Sequence, residues 1–163
     1  MTHHDFSEMV ERLAGLLLTR DMRVVVAESC TGGGIAQAMT NTPGSSQWFE
    51  RGFVSYSNDS KKELLGVSEE TLLNFGAVSE QTAGEMAAGA LQNSHAQVSV
   101  AVTGIAGPDG GSNEKPVGLV CFGWSINNEP TKTASIVFQG DRSTIRQQAI
   151  RMAIQGLIDL VES

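Results

Sequence analysis

The chain has 163 residues and a mass of 17.3 kDa, which is the size of one compact domain. Its 11 Lys and Arg residues against 18 Asp and Glu residues give a net charge of −7, so nucleic acid and anionic membranes are poor candidate partners. A single local arginine can still hold an anionic small molecule. The mean hydropathy of −0.08 and the ordinary apolar content exclude a disordered chain.

Cysteine usage and the N-terminal sequence indicate where the chain works. Cys30 and Cys121 are far apart and have no metal-ligand spacing, which argues against a disulfide framework and a zinc site. No stretch approaches the roughly 20 apolar residues of a membrane span, and residues 1–5 lack the basic and apolar regions of a signal peptide. We therefore expect a cytoplasmic protein.

Hydrophobic periodicity and turn residues predict helices and strands that alternate along most of the chain. In chain order these are a helix over 6–18, a strand over 23–27, a short helix over 35–39, a strand over 53–56, a helix over 61–65, a short helix between Ser68 and Gly76, a longer helix from Ser79, strands over 98–102, 117–124 and 134–138, and a closing helix over 143–161. The turn at 127–130 is too short for a crossover helix, so the sheet is mixed. We expect one domain over 1–163, a three-layer α/β/α sandwich with a mixed, mostly parallel sheet of about five strands.

Three polar, glycine-rich segments follow predicted strands, over residues 28–33, 56–61 and 103–111. The 18 glycines of the chain are many for its length, and glycine permits close backbone approach to a ligand. Ligands of α/β sheets bind at the carboxyl ends of strands, where loops meet helix N-termini. If the three strands are parallel, these segments converge on one site.

The first segment contains a candidate nucleophile, Ser29, at a strand-to-helix junction. The glycines that follow are not a dinucleotide fingerprint, because Gln37 stands where the last glycine belongs, and no Gly-Lys-Ser/Thr of a P-loop occurs. The backbone N–H groups that follow Ser29, at 31–33, can form an oxyanion hole. Capping of the helix by Ser29 and Thr31 is the alternative, and the Ser-x-Thr pattern alone favours it. Cys30 is a competing nucleophile, since a helix N-terminus also activates a thiol.

A serine nucleophile needs a base, and histidine is scarce. His3 and His4 lie in a tail and His95 near a helix end, so a Ser-His-Asp triad is hard to assemble. Lys61 is then the candidate base, because a partly buried lysine has a lowered pKa. Tyr56 lies five residues earlier and is placed to relay the proton or position the substrate. The alternative for Lys61 is an ordinary solvated helix lysine, which spacing alone favours.

The third segment and the start of the last helix offer candidate ligand contacts. Thr103 can donate its hydroxyl, and Gly104 can bring backbone amides close to a ligand, although an ordinary surface loop is equally consistent with this sequence. Arg142, together with free N–H groups of the last helix, would suit a phosphate. The alternative is that Asp141 caps this helix and Arg142 faces solvent.

Five motifs together resemble the CinA C-terminal-domain family, in its stand-alone nicotinamide-nucleotide amidohydrolase form, over nearly the whole chain. They are Ala-Glu-Ser-Cys-Thr-Gly-Gly at 27–33, Trp-Phe-Glu-Arg-Gly-Phe-Val-Ser-Tyr-Ser-Asn at 48–58, Gly-Ala-Val-Ser-Glu at 76–80, Thr-Gly-Ile-Ala-Gly-Pro-Asp-Gly-Gly at 103–111 and Lys-Pro-Val-Gly at 115–118. The resemblance implies an α/β/α sandwich without the N-terminal domain of full-length CinA proteins. It also implies hydrolysis of nicotinamide mononucleotide to nicotinate mononucleotide and ammonia, in pyridine-nucleotide recycling.

The resemblance places the nucleophile at Ser29 and carries a functional tyrosine and lysine onto Tyr56 and Lys61. It implies no metal, no other cofactor and a homodimer. The expected substrate contacts are Thr31, Gly32, Gly33, Thr103, Gly104 and, resting mainly on its place at a helix start, Arg142. Two other functions stay open: a non-catalytic nucleotide-binding module, as in a DNA-uptake or damage response, and an amidase for another small carboxamide.

Overall fold

Helices and strands alternate along residues 5–163, the part of the chain that the computed structural model describes. The strands are β1 (Val24–Glu28), β2 (Phe49–Val54), β3 (Val98–Gly104), β4 (Leu119–Ile126) and β5 (Lys132–Val137). The helices are α1 (Ser7–Thr19), α2 (Gly34–Thr40), α3 (Asn58–Leu65), α4 (Glu69–Phe75), α5 (Glu80–Gln92) and α6 (Arg142–Glu162), with a 3-10 turn at Ser45–Gln47. His3 and His4 lie outside the described residues.

The strands form one sheet in the order β2-β1-β3-β4-β5. β1 is parallel to both β2 and β3, whereas β4 is antiparallel to both of its neighbours, β3 and β5. Four of the five strands therefore run in the same direction, and the predicted mixed, mostly parallel sheet is confirmed. The carboxyl ends of β1, β2 and β3 meet at one edge of the sheet.

The sheet lies between two helical layers, as predicted. Every residue of β1 is buried, and alternate side chains of a strand point to opposite faces. Val24 and Val26 pack into the core formed with α1, α2 and α6, whereas Val25 and Ala27 pack into the core formed with α3 and α5. No helix within residues 5–163 has both the length and the apolar content that a membrane crossing requires.

The end of β2 differs from the prediction in a way that matters for the site. The strand was expected over 53–56 but ends at Val54, because its partner strand β1 ends at Glu28, opposite Val54. Ser55 and Tyr56 therefore form the turn that leads into α3, whose N-cap is Ser57. The carbonyl groups of this turn are free to bind a side chain.

The predicted bounds of β4 and β5 were wrong by one or two residues. β4 begins and ends two residues later than predicted, and β5 begins two residues earlier and ends one residue earlier. β4 begins at Leu119 instead of 117 because Gly118, with φ of +97°, turns the chain before the ladder starts. A side chain at Gly118 would overlap with the carbonyl oxygen of Phe138, so glycine is required there. Apolar character at Val117 and Phe138 reflects packing against the core, not membership of the strands.

Two helical glycines give a matched test of helix packing. A Cβ atom at Gly89 of α5 would overlap with the Leu65 carbonyl of α3, whereas a Cβ at Gly15 of α1 meets nothing within 4 Å. We expect Gly89→Ala to lower the free energy of unfolding by about 1–3 kcal/mol through overpacking. Gly15→Ala should raise it by about 0.5–1 kcal/mol, because alanine loses less entropy in a helix. Urea unfolding of both variants measures the difference, and equal effects would contradict the close α3–α5 contact.

Candidate active site

Ser29 and Lys61 lie in direct contact at the carboxyl end of the sheet. Ser29 is the first residue after β1, and its N–H donates to the carbonyl oxygen of Val102 in β3 at 3.0 Å. Lys61 lies in the first turns of α3, yet it is only 1% exposed. Its Nζ donates to Ser29 Oγ at 3.1 Å. The parallel pairing of β1 and β2 brings these two residues together although 32 positions separate them.

Two backbone carbonyls hold the Lys61 amine. Nζ donates to the carbonyl oxygens of Ser55 at 3.0 Å and Tyr56 at 3.1 Å, in addition to Ser29. Burial lowers the pKa of Lys61, because removal from water disfavours the ammonium form. No acidic side chain among residues 5–163 forms an ion pair with it. When Lys61 loses a proton, its two remaining N–H groups can stay on the two carbonyls, and its lone pair then faces the Ser29 hydroxyl.

A buried carboxylate, Glu28, fixes the turn that carries Ser29. Its side chain is fully buried and accepts hydrogen bonds from Thr31 Oγ1 at 2.6 Å and from the backbone N–H groups of Ile35 and Ala36, each at 2.9 Å. Glu28 therefore caps α2, and the alternative that Ser29 and Thr31 cap this helix is wrong. The sequence signal for this role was a glutamate at the end of an otherwise apolar strand.

The turn after Ser29 leaves selected amides free. Gly32 and Gly33 have φ of +58° and +100°, a left-handed conformation that favours glycine. The N–H of Gly32 donates to the Ser29 carbonyl oxygen at 3.0 Å, so it is not available to a ligand. Within residues 5–163, the N–H groups of Thr31 and Gly33 have no protein acceptor. Thr31 is fully buried whereas Gly33 is partly exposed, so Gly33 remains as the candidate oxyanion donor among the three amides predicted from the sequence.

Cys30 does not have the properties of a reactive thiol. Its side chain is buried, and burial raises the pKa of its thiol to about 12. The thiolate is the nucleophilic form of cysteine, so Cys30 is protonated and unreactive at neutral pH. Burial also raises the pKa of Cys121, in β4, to about 11. The geometry favours Ser29 over its neighbour as the nucleophile.

Tyr56 and Arg142 lie at the rim of the site. The Tyr56 side chain is exposed, and its hydroxyl accepts a long hydrogen bond of 3.4 Å from Arg142 Nη2. Arg142 Nη1 donates to the carbonyl oxygen of Gly107 at 2.7 Å. Arg142 therefore links the second and third polar segments, and all three converge as predicted. Tyr56 contacts Lys61 through its carbonyl and not its phenol, so the direct contact of Lys61 with Ser29 needs no relay.

Other expected ligand contacts have partners inside the protein. The Thr103 hydroxyl is buried and donates to the Ala77 carbonyl oxygen at 2.8 Å. Gly104 lies within β3, where a side chain would press against the neighbouring strand β4. The Asp141 carboxylate accepts from the N–H of Thr144 at 2.8 Å, so this one N–H at the start of α6 is not open to a ligand. The capping role of Asp141 is confirmed, and the exposed Arg142 stays the predicted phosphate contact.

Sequence reasoning missed Arg146, which lies one helical turn beyond Arg142 in α6. Its Nε donates to the carbonyl oxygen of Cys30 and its Nη2 to that of Thr31, both at 3.1 Å. A side chain at Gly32 would meet the same guanidinium. The one available signal was the four-residue spacing of two arginines on a helix that begins near the site.

Comparison with known proteins finds relatives that match this chain over nearly its whole length. The family model of the CinA C-terminal domain matches residues 6–161. The nicotinamide-nucleotide amidohydrolase PncC of Escherichia coli K12 is 48% identical over 157 residues, covering 96% of this chain and 95% of that protein. The protein of the same name from Enterobacter agglomerans is 51% identical over 155 residues, covering 95% and 94%. These matches extend over nearly the full length of both chains.

A solved structure has the same fold. The competence/damage inducible protein CihA of Agrobacterium tumefaciens superposes with a TM-score of 0.94 at 46% identity, covering 98% of each chain. The similarity includes the sheet and the helical layers, so the α/β fold and the family resemblance are both confirmed.

The buried Lys61 makes stability depend on pH in a defined direction. Its folded-state pKa lies below the usual 10.5, so between these two values the unfolded chain binds more protons than the folded one. The free energy of unfolding then rises with pH across this window. Lys61→Met removes that contribution. We expect wild type to gain stability relative to Lys61→Met as the pH rises from the lowered pKa of Lys61 toward 10.5, as measured by urea unfolding at each pH. Parallel pH dependences would contradict a buried lysine with a lowered pKa.

Proposed function

The chain belongs to the CinA C-terminal domain family, and we propose that it hydrolyses the carboxamide of nicotinamide mononucleotide to nicotinate mononucleotide and ammonia. Two lines of support meet in this proposal. The full-length relatives carry the name of this activity. The observation that carries the chemistry is the 3.1 Å contact between the buried Lys61 amine and the Ser29 hydroxyl. A buried lysine without a carboxylate partner is suited to accept a proton.

In the first step, Ser29 attacks the carboxamide carbon. The neutral Lys61 amine takes the hydroxyl proton as the Ser29 Oγ–carbon bond forms. The carbonyls of Ser55 and Tyr56 keep the two N–H groups of the amine occupied, so its lone pair stays directed at the serine. Once protonated, Lys61 is a three-donor ammonium that these carbonyls also stabilise.

The tetrahedral intermediate then loses ammonia. In this proposal the N–H of Gly33 donates to its oxyanion. Lys61 returns the proton to the leaving nitrogen, and the carbon–nitrogen bond breaks to leave an ester on Ser29. Water, deprotonated by Lys61, attacks that ester and releases the carboxylate with the serine hydroxyl restored. The sum is one amide and one water converted to one carboxylic acid and one ammonia.

Residues at the rim are proposed to recognise the rest of the substrate. The Arg142 guanidinium uses only part of its donor capacity on Gly107 and Tyr56, so it can also donate to the substrate phosphate. The exposed ring of Tyr56 offers an apolar surface to the pyridine or ribose. A phosphate contact also explains how a chain with a net charge of −7 binds an anionic nucleotide.

We also propose that the chain acts as a cytoplasmic homodimer in pyridine-nucleotide recycling, with no nucleic-acid partner. A groove of about 720 Å³ between α6 and β5, remote from Ser29, supports the dimer. β5 is a largely exposed strand at one edge of the sheet, and such an edge presents unpaired N–H and C=O groups that can pair with another chain. Apolar side chains line the groove: Met9, Trp124, Ala134, Phe138, Met152 and Leu160.

Paired variants test the assigned roles. We expect Ser29→Ala and Lys61→Met each to lower the turnover number for ammonia release by ~10³-fold or more, because nucleophile and base act as one unit. Lys62→Met, which removes a partly exposed lysine next in the chain, is the matched control and should stay within about twofold. Cys30→Ala should retain activity. Loss of ammonia release in Cys30→Ala with retention in Ser29→Ala would contradict the assignment.

Three substrates separate the candidate functions. Ammonia release is measured from nicotinamide mononucleotide, its dephosphorylated riboside and free nicotinamide. We expect the mononucleotide to have the highest kcat/KM, and Arg142→Met to raise KM for the mononucleotide but not for the riboside. Equal rates on riboside and mononucleotide would indicate an amidase of another small carboxamide. Saturable binding without ammonia release would indicate a binding module.

A further inference from the structure

The side-chain hydroxyl of Ser55 is buried and has no hydrogen-bond partner among residues 5–163. Ser55 is fully buried, so bulk water does not reach this oxygen. Nearly all buried side-chain oxygens in folded proteins have a partner, and an unpartnered one costs free energy. Proteins tolerate such local costs mainly at functional sites. The surroundings of Ser55 therefore bear on what its hydroxyl does.

Ser55 stands directly beside the nucleophile in the sheet. The last paired residues of β1 and β2 are Glu28 and Val54, and Ser29 and Ser55 follow them. The Ser55 N–H extends the ladder by one more hydrogen bond, to the Glu28 carbonyl oxygen at 2.8 Å. Neighbouring strands are about 4.8 Å apart, which two serine side chains can span when they turn toward each other.

Both serine side chains lie on the face of the sheet that α3 covers. Ser29 contacts Lys61 of α3, which identifies its face. Val54 lies toward α2, since a Cβ atom at Gly33, just before that helix, would contact Val54 Cγ2 at 3.8 Å. Successive side chains of a strand alternate between faces, so the Ser55 side chain lies opposite that of Val54, on the face of Ser29 and Lys61.

The Lys61 amine contacts both serines. Its Nζ donates to Ser29 Oγ at 3.1 Å and to the carbonyl oxygen of Ser55 at 3.0 Å. On the other side of Ser29, the register of β1 and β3 places Thr103, whose hydroxyl already donates to the Ala77 carbonyl oxygen. Of the two hydroxyls that flank the nucleophile, that of Ser55 keeps its donor free within the described chain.

We propose that Ser55 is a further catalytic residue, whose hydroxyl turns to Ser29 and donates to its Oγ when negative charge develops on that oxygen. Charge develops as Lys61 removes the proton during attack, and again as the ester on Ser29 breaks. A donor placed where charge develops stabilises the transition state more than the ground state. Ser55 keeps its own proton throughout, so the balance of the reaction is unchanged. The inference rests on the proposed serine chemistry but not on the identity of the amide substrate.

Steady-state kinetics of Ser55→Ala give the first test. We expect kcat for ammonia release to fall by about 10- to 100-fold, the usual effect of losing a hydrogen bond to a charged group. KM should stay within about twofold, because the buried Ser55 does not reach the substrate. Ser99→Ala is the matched control: Ser99 is a fully buried serine of β3 whose hydroxyl donates to the Ala87 carbonyl oxygen, and kcat should stay within about twofold. Unchanged kcat in Ser55→Ala would overturn the proposal.

Urea unfolding of the same two variants separates a catalytic role from a structural one. Ser55→Ala removes a hydroxyl that has no partner, so we expect its unfolding midpoint to equal or exceed that of wild type. Ser99→Ala removes a buried hydrogen bond and should unfold at a lower urea concentration. A midpoint for Ser55→Ala as low as that of Ser99→Ala would show that the Ser55 hydroxyl supports the fold, and would overturn the proposal.

Acylation of Ser29 by p-nitrophenyl acetate tests the inference apart from the nucleotide. We expect the first, stoichiometric release of nitrophenol to be about 10- to 100-fold slower in Ser55→Ala than in wild type, and to be missing in Ser29→Ala. If wild type releases no ammonia from the nucleotide but Ser55→Ala still slows this acylation, the proposed substrate is wrong and the role of Ser55 stands. Equal acylation rates in wild type and Ser55→Ala would overturn it.

Discussion

The hydrogen bond between the buried Lys61 amine and the Ser29 hydroxyl is the interaction on which the site depends. Burying an amine costs free energy unless its N–H groups find acceptors. Those acceptors exist because the β1–β2 ladder stops at Val54, which leaves the carbonyls of Ser55 and Tyr56 for the lysine. The end of a strand thus supplies both the position of the base and the groups that make its burial tolerable.

A second constraint keeps the two buried ionisable groups, Glu28 and Lys61, apart. Glu28 is buried next to Ser29 in the chain, yet its carboxylate bonds to Thr31 and to amides at the start of α2, while Lys61 bonds to carbonyls. A carboxylate beside Lys61 would favour the ammonium form and raise its pKa, which would remove the base. Glu28 and Lys61 therefore have separate hydrogen-bond partners, which are mainly backbone groups. The acid shapes the turn, and the lysine remains free to exchange a proton with Ser29.

Much of this arrangement could be predicted from sequence because local signals were strong. The valine run of β1, the serine caps of α3, α4 and α5, and the short turn before β5 gave the mixed sheet and the convergence of its polar ends. Lys61 shows the limit: its spacing favoured a solvated helix lysine, and only the packing of α3 beside β1 buries it. Glu28 and Arg146 act on backbone groups, and neither target is visible in a residue pattern. The Thr103 hydroxyl donates to the carbonyl oxygen of Ala77, 26 positions away in sequence, and a residue pattern does not indicate that partner either.

The central claim is that Ser29 forms a covalent acyl intermediate with Lys61 as its base. Acid quenching of the enzyme during turnover of nicotinamide mononucleotide, followed by peptide mass spectrometry, tests it most directly. The predicted result is a nicotinate mononucleotide acyl group on the peptide that contains Ser29, assigned to the serine by fragmentation and missing in Ser29→Ala. Rapid ammonia release with no adduct, or an adduct on Cys30, would contradict the account.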